Sequence, residues 1–197
     1  MKKLFRCIRN WFFCKRYPFW AFRDFKTEKI DYSFTWYDDI PIGWREAFGK
    51  QLSKELLKVG KKILSKDKKL KWSDILCWAQ IKEKYGELCL YASCTDELMK
   101  VLEKYELLSI GYCIMCGKPA RYVTKGWIEY YCDECFDKYL DNVPEKERLK
   151  VRDESRLTKK DIPVLHTYHK TLSGKYIKRR VNIKKKYSID FKQLWDL

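Results

Sequence analysis

The stretch Cys113–Cys135 reads CIMCGKPARYVTKGWIEYYCDEC. Two Cys-x-x-Cys pairs, Cys113/Cys116 and Cys132/Cys135, stand fifteen residues apart. Each such turn points two thiolates to one side, and two turns brought together by a folded insert complete a tetrahedron around Zn2+. Gly117, directly after Cys116, allows a tight turn in which backbone N–H groups approach sulfur. ARYV and WIEYY read as short strands, with TKG turning between them. CDECFDKYL then opens a helix that carries the second pair in its first turn, where the positive helix end favours thiolate. The spacing therefore predicts a structural Zn2+ site with Cys113, Cys116, Cys132 and Cys135 as ligands. Four cysteines leave no open coordination position for catalysis.

This order of knuckle, hairpin and helix resembles the treble-clef class of zinc fingers, a resemblance that implies a fold and a metal rather than an activity. Nucleases of the HNH type share that fold and work through His and Asn residues around the finger. Here the two histidines, His166 and His169, lie outside it. Three residues apart on a strand, they fall on opposite faces, which argues against a shared metal. Asp74 with Gln80-Ile81-Lys82 loosely matches the acid, acid-x-lysine arrangement of restriction-like nucleases, but glutamine replaces the second Mg2+-binding carboxylate. No P-loop, dinucleotide fingerprint or nucleophile elbow is present. The sequence reads as non-enzymatic, with a metal-dependent nuclease as the third reading.

Composition widens the argument. The chain has 197 residues, of which 46% are hydrophobic and 36% charged, with a formal net charge of +16. That is a folded, heavily charged protein suited to a polyanionic partner. Nine cysteines would suggest disulfides in a secreted chain. Arg6 and Arg9 interrupt any apolar signal region, and no uncharged run is long enough to span a bilayer. A reducing cytoplasm and a metal account best for the paired cysteines. The other five, Cys7, Cys14, Cys77, Cys89 and Cys94, read as small apolar residues.

Five regions follow from the patterns. Residues 1–30 are a basic, aromatic amphipathic segment; residues 1–26 carry nine aromatics and eight Lys or Arg against one acid, Asp24. Leu4, Phe5, Ile8, Trp11 and Phe12 recur at helical spacing, and Pro18 ends or kinks the helix. That stripe either docks on the rest of the protein or serves as a surface anchor for a partner or membrane, with Phe5, Ile8, Trp11 and Phe12 as docking residues. Residues 31–110 form an α+β core of helix, hairpin and helix. Asp38 or Asp39 caps the first helix, Pro41 suits its first turn, and Trp44, Phe48, Leu52, Leu56, Val59 and Ile63 line its buried face. DILCWAQIK and ELCLYAS pair through EKYG. Thr95 caps the second helix.

The zinc finger spans 111–142, a charged linker or solvated helix 143–161, and a basic β-hairpin and tail 162–197. Residues 170–186 hold eight Lys or Arg and no acid.

Three segments together, YDDIPIGWREAFGKQLSKEL, QIKEKYGEL and KYELLSIGYCIMCGKPARYVTKGWIEYYCDEC, resemble an uncharacterised family of phage and prophage proteins, with IDFKQLWDL at the end also fitting. The resemblance implies a bacterial cytoplasm and, by analogy, a partner among host proteins such as a defence component or polymerase. The leading expectation is a zinc-stabilised protein that binds nucleic acid through Lys175, Lys178, Arg179, Arg180, Lys184, Lys185 and Lys186, helped by the helix lysines. Tyr168, Tyr176 and Trp127 are candidates for base stacking. A host protein and a membrane surface are further partners that the N-terminal segment would suit.

Overall fold

Trp44, Phe48, Leu52 and Leu56, spaced every fourth residue, are all buried and form the spine of the main hydrophobic core. The computed structural model describes residues 2–24, 26–27 and 29–157, and the backbone of 165–170 and 176–181. It is a mixed α+β protein with small two-stranded hairpins.

Helix α1 (Lys2–Arg16) comes first. It stops where Pro18 opens a 3-10 turn, Pro18–Trp20. The short strands β1 (Ala21–Arg23) and β2 (Ile30–Thr35) then pair antiparallel, a hairpin the sequence patterns did not suggest. Its turn is held by Asp24, whose carboxylate accepts the Lys26 and Thr27 backbone N–H groups.

The face on which α1 packs corrects the expectation of an internally docked aromatic stripe. Leu4, Phe5, Ile8 and Phe12 are 65%, 69%, 46% and 63% exposed, whereas Asn10 and Cys14 are buried. Phe13 lies against the Tyr17 and Tyr37 rings at 5.3 and 5.0 Å. The Asn10 side-chain amide donates to the Tyr32 carbonyl at 2.9 Å, giving a buried side chain a polar partner. Helical periodicity reveals that a stripe exists; it does not reveal that a second face, built from Asn10, Phe13, Cys14 and Tyr17, fits the body better.

The entry to the long helix also differs from expectation. Asp38 caps a 3-10 turn, Trp36–Asp39, by accepting the Thr35 N–H and hydroxyl at 2.9 and 2.8 Å. Pro41 is the N-cap of a short helix α2 (Ile42–Trp44) rather than part of its first turn. A π-helical segment, Arg45–Gly49, leads into α3 (Lys50–Lys66). Val59 and Ile63, the last two residues of the expected stripe, are half-buried against the core.

After a single turn, α4 (Trp72–Ile75), strands β3 (Leu76–Lys84) and β4 (Glu87–Cys94) form the expected hairpin. Its connection is the two-residue pair Tyr85–Gly86, both at positive φ (54° and 76°), the twist that suits flanking strands. Helix α5 (Asp96–Ser109) packs on β4 and α3 with Leu98, Val101, Leu102, Tyr105 and Leu107 buried. Thr95 occupies its N-cap but makes no capping bond; its hydroxyl is buried without a partner among the described residues. Asp96 and Glu97 in the first turn face the helix dipole instead.

Tryptophans knit the core. The Trp20 and Trp78 rings stack at 4.9 Å and 3°. The Trp20 indole N–H donates to Ser53 Oγ at 2.9 Å, Ser53 donates to the Gly49 carbonyl at 2.8 Å, and Trp78 donates to the Phe19 carbonyl at 2.7 Å. Each buried indole thus keeps a polar partner.

The cysteine-rich region contributes β5 (Tyr122–Val123), β6 (Tyr130–Tyr131) and α6 (Asp133–Leu140), followed by α7 (Glu145–Ser155). The tail forms a hairpin of β7 (Leu165–Lys170) and β8 (Tyr176–Val181), with Leu165 opposite Val181 and Lys170 opposite Tyr176.

Candidate metal centre

The two Cys-x-x-Cys turns converge as their spacing requires. The four sulfur atoms of Cys113, Cys116, Cys132 and Cys135 all lie within 4.8 Å of one another, and Cys116 and Cys132 approach to 3.5 Å. A tetrahedron with metal–sulfur bonds of about 2.3 Å has edges of roughly 3.8 Å, so this cluster could hold a metal ion with small adjustment. Burial, reinforced by hydrogen bonds from Cys116 and Cys113, pushes the Cys135 thiol far above its ordinary range. A bound metal ion would offset that cost by stabilising the thiolate form.

Each knuckle is shaped by its own backbone. Gly117 takes φ +77° and its N–H donates to the Cys113 carbonyl at 2.9 Å. The Cys113 N–H donates to the Lys118 carbonyl at 2.8 Å. Cys132 is the N-cap of α6, and its carbonyl accepts the Phe136 N–H at 2.9 Å. Cys113 and Cys132 are buried, Cys116 and Cys135 half-buried. Beneath the cluster the Tyr122 and Phe136 rings stack at 4.2 Å and 4°, forming a small core with Tyr131 and Leu140.

The first knuckle is seated on the main core. Gly43 donates its N–H to the Ile114 carbonyl at 3.0 Å. A Cβ at Gly43 would sit 2.2 Å from the Cys113 carbonyl oxygen, and one at Gly117 would sit 2.4 Å from the Gly43 carbonyl oxygen. The junction is thus glycine against glycine, main chain against main chain. The Trp44 indole adds a bond to the Tyr112 carbonyl at 3.3 Å.

Helix α7, read from sequence as a linker or solvated helix, is a helix that packs back on the cysteine-rich region. Arg152 donates to the Asp137 carboxylate and to the Tyr122 hydroxyl, and its guanidinium lies over the Tyr122 and Phe136 rings. Val151 packs against the finger's small core. Leu157 extends the contact, its N–H donating to the Arg121 carbonyl at 2.9 Å. No spacing rule in the sequence pairs Arg152 with Asp137 across two helices.

Charge is distributed unevenly. Residues 27–157 contain 24 Lys or Arg and 23 Asp or Glu, whereas 158–197 contain eleven and three. Within the cysteine-rich region several basic groups are engaged locally: Lys118 with Glu134, Arg121 with Asp133, Lys125 with Glu154 and Arg148 with Asp141. The contrast is α3, where Lys50, Lys54, Lys58, Lys61 and Lys62 are all exposed. They run along about 18 Å of helix, roughly opposite Leu52 and Leu56, and none pairs with an acid among the described residues. Trp127, beside the turn between β5 and β6, is 74% exposed.

Of the basic tail residues, Lys178, Arg179 and Arg180 lie on β8 opposite Tyr168, Thr167 and His166. Lys175, Lys184, Lys185 and Lys186 lie outside the described residues. The Asp74 carboxylate caps α4 by accepting the Lys71 N–H at 2.7 Å, and Glu83 accepts the Gly86 N–H at 2.6 Å.

Comparison with known protein families, with curated proteins and with solved structures finds no match. No helix among the described residues is long and apolar enough to cross a membrane.

Proposed function

We propose that the chain is a non-enzymatic nucleic-acid-binding protein whose finger holds a structural Zn2+ through Cys113, Cys116, Cys132 and Cys135. The all-thiolate donor set suits zinc, and a closed set of four gives the metal a folding role. The observation that carries the binding role is the row of exposed, unpaired lysines on α3. Lysines are compact point charges suited to phosphates, and a band of them along a helix can follow a backbone without reading sequence. The excess positive charge of the tail adds a second contact region, with Lys178, Arg179 and Arg180 on β8. Trp127 offers an exposed ring for a base. The charge-balanced finger is then a scaffold, not the contact surface.

Fluorescence anisotropy with labelled single- and double-stranded DNA and RNA tests this. Binding should weaken steeply with salt, by about 0.9 in logarithmic slope for each duplex phosphate contacted. Replacing Lys54, Lys58, Lys61 and Lys62 with Gln should flatten that slope by about 3 to 4. Absence of binding at low salt for every probe, or an unchanged slope in the variant, refutes the assignment.

A further inference from the structure

The geometry points to α1 as an interfacial helix that lies on an anionic bilayer surface, an activity separate from the nucleic-acid reading. The helix has three faces with different tasks. Asn10, Phe13 and Cys14, continued by Tyr17, hold it on the body. On a wheel of 100° per residue, the stripe of Leu4, Ile8, Phe12 and Phe5 lies roughly opposite that docked face. These four side chains are 46–69% exposed and point away from the protein to which the helix is fastened. Trp11 borders the stripe, packed edge-on against Phe12 at 4.8 Å, with the Lys15 ammonium 3.8 Å from its ring centre.

The charge around the stripe selects the occupant. The sequence of α1, KKLFRCIRNWFFCKR, contains six Lys or Arg and no acid. Arg9 is engaged by Asp38 at 3.7 Å, and Lys3 and Arg6 fall on the docked side of the wheel, where their charges act on Asp31 of β2; Lys15 and Arg16 border the stripe and are exposed. An apolar protein groove would complement the stripe and leave these cations unmatched. A second copy of the helix would bring like charges together. A leaflet of anionic lipid complements both features: acyl chains receive the Phe, Leu and Ile side chains, and phosphates meet the cations. At about 1.5 Å per residue, fifteen residues extend only about 22 Å, too short for a hydrocarbon core of about 30 Å. The helix therefore lies in the interface plane, and its attachment to β2 and Tyr37 makes the body follow it to the surface.

Co-sedimentation of the full zinc-loaded chain with vesicles tests this. The chain should pellet with phosphatidylcholine vesicles containing one quarter phosphatidylglycerol and remain in solution with phosphatidylcholine alone. The triple substitution Leu4→Ser, Phe5→Ser and Phe12→Ser leaves the charge unchanged and touches only exposed side chains, so its thermal melting should match the parent. It should cut the bound fraction at least about tenfold. Lys15→Gln with Arg16→Gln should lower binding roughly fivefold per charge. Undiminished pelleting of the serine variant would place the lipid contact in the basic tail and overturn the proposal. Failure of the parent chain to pellet, or self-association abolished by the serine substitutions without vesicle binding, would overturn it too.

Discussion

Replacing Glu106 with Gln should stabilise the protein, and only above mildly acidic pH. Glu106 sits on α5 beneath β4, where its carboxylate accepts the Leu90 N–H at 2.6 Å. Burial pushes its carboxyl up from 4.5 to about 7; the Leu90 bond opposes this, while Glu103 and Glu87 add to it. Below pH 4.5 the group is protonated in both the folded and unfolded states, and its contribution is fully present. As pH rises towards 7 the unfolded chain releases the proton that the folded chain retains, and stability falls by about 1.4 kcal/mol per unit. The loss levels off above pH 7 at roughly 3 kcal/mol, an upper figure because the side chain is only partly shielded from water. Glutamine keeps an acceptor for the Leu90 N–H and never ionises. Guanidinium unfolding followed by tryptophan fluorescence, at pH 5 and pH 8 with zinc present, should show the variant gaining about 2–3 kcal/mol on the parent between the two pH values at equal m-value. Any packing change appears at both pH values and cancels from that difference. Parallel pH dependence in the two proteins would refute the reasoning.

The metal centre makes its own demands. Cys116→Ser should release zinc to a chelator at far lower concentration than the parent, because a neutral alcohol does not replace a thiolate, whereas Cys77→Ser, at an exposed position outside the cluster, should not. Chelation of the parent should unfold the finger, seen as loss of amide protection for Tyr122, Tyr131 and Phe136. Gly43→Ala should cost about 3 kcal/mol or more in chemical denaturation, since its Cβ meets two backbone carbonyls that cannot swing aside. Arg152→Ala should lower the melting temperature while leaving zinc content intact, because it removes the Asp137 and Tyr122 contacts that hold α7 and none of the ligands.

Local patterns carried some of these features and concealed others. The α3 stripe, the Tyr85–Gly86 turn and the cysteine spacing were legible because each is a short-range rule: a period, a φ requirement, a ligand geometry. The docked face of α1 was not, since Asn10 looks like a poor core residue until it finds the Tyr32 carbonyl. The π-helical segment at Arg45–Gly49 has no sequence signature, and it follows directly on the short helix that seats Gly43 on the first knuckle. Thr95 shows the reverse failure: a favoured capping residue at the right position whose hydroxyl makes no cap. In each case a contact distant in sequence decided between options that local chemistry left open.

The junction of Gly43 with Gly117 sets how this protein can vary. Because carbonyls and amides meet there, the two glycines are fixed by backbone contact, in addition to the buried Trp44 and the cysteines. A saturation library across 41–47 and 113–119, read out by folding, would show deep intolerance at these two glycines, at Trp44 and at the cysteines. Ile42 and Met115, both more than half exposed, should accept most substitutions. The angle at which the finger sits on the core is therefore inherited as backbone geometry, insulated from drift in the sequence that surrounds it.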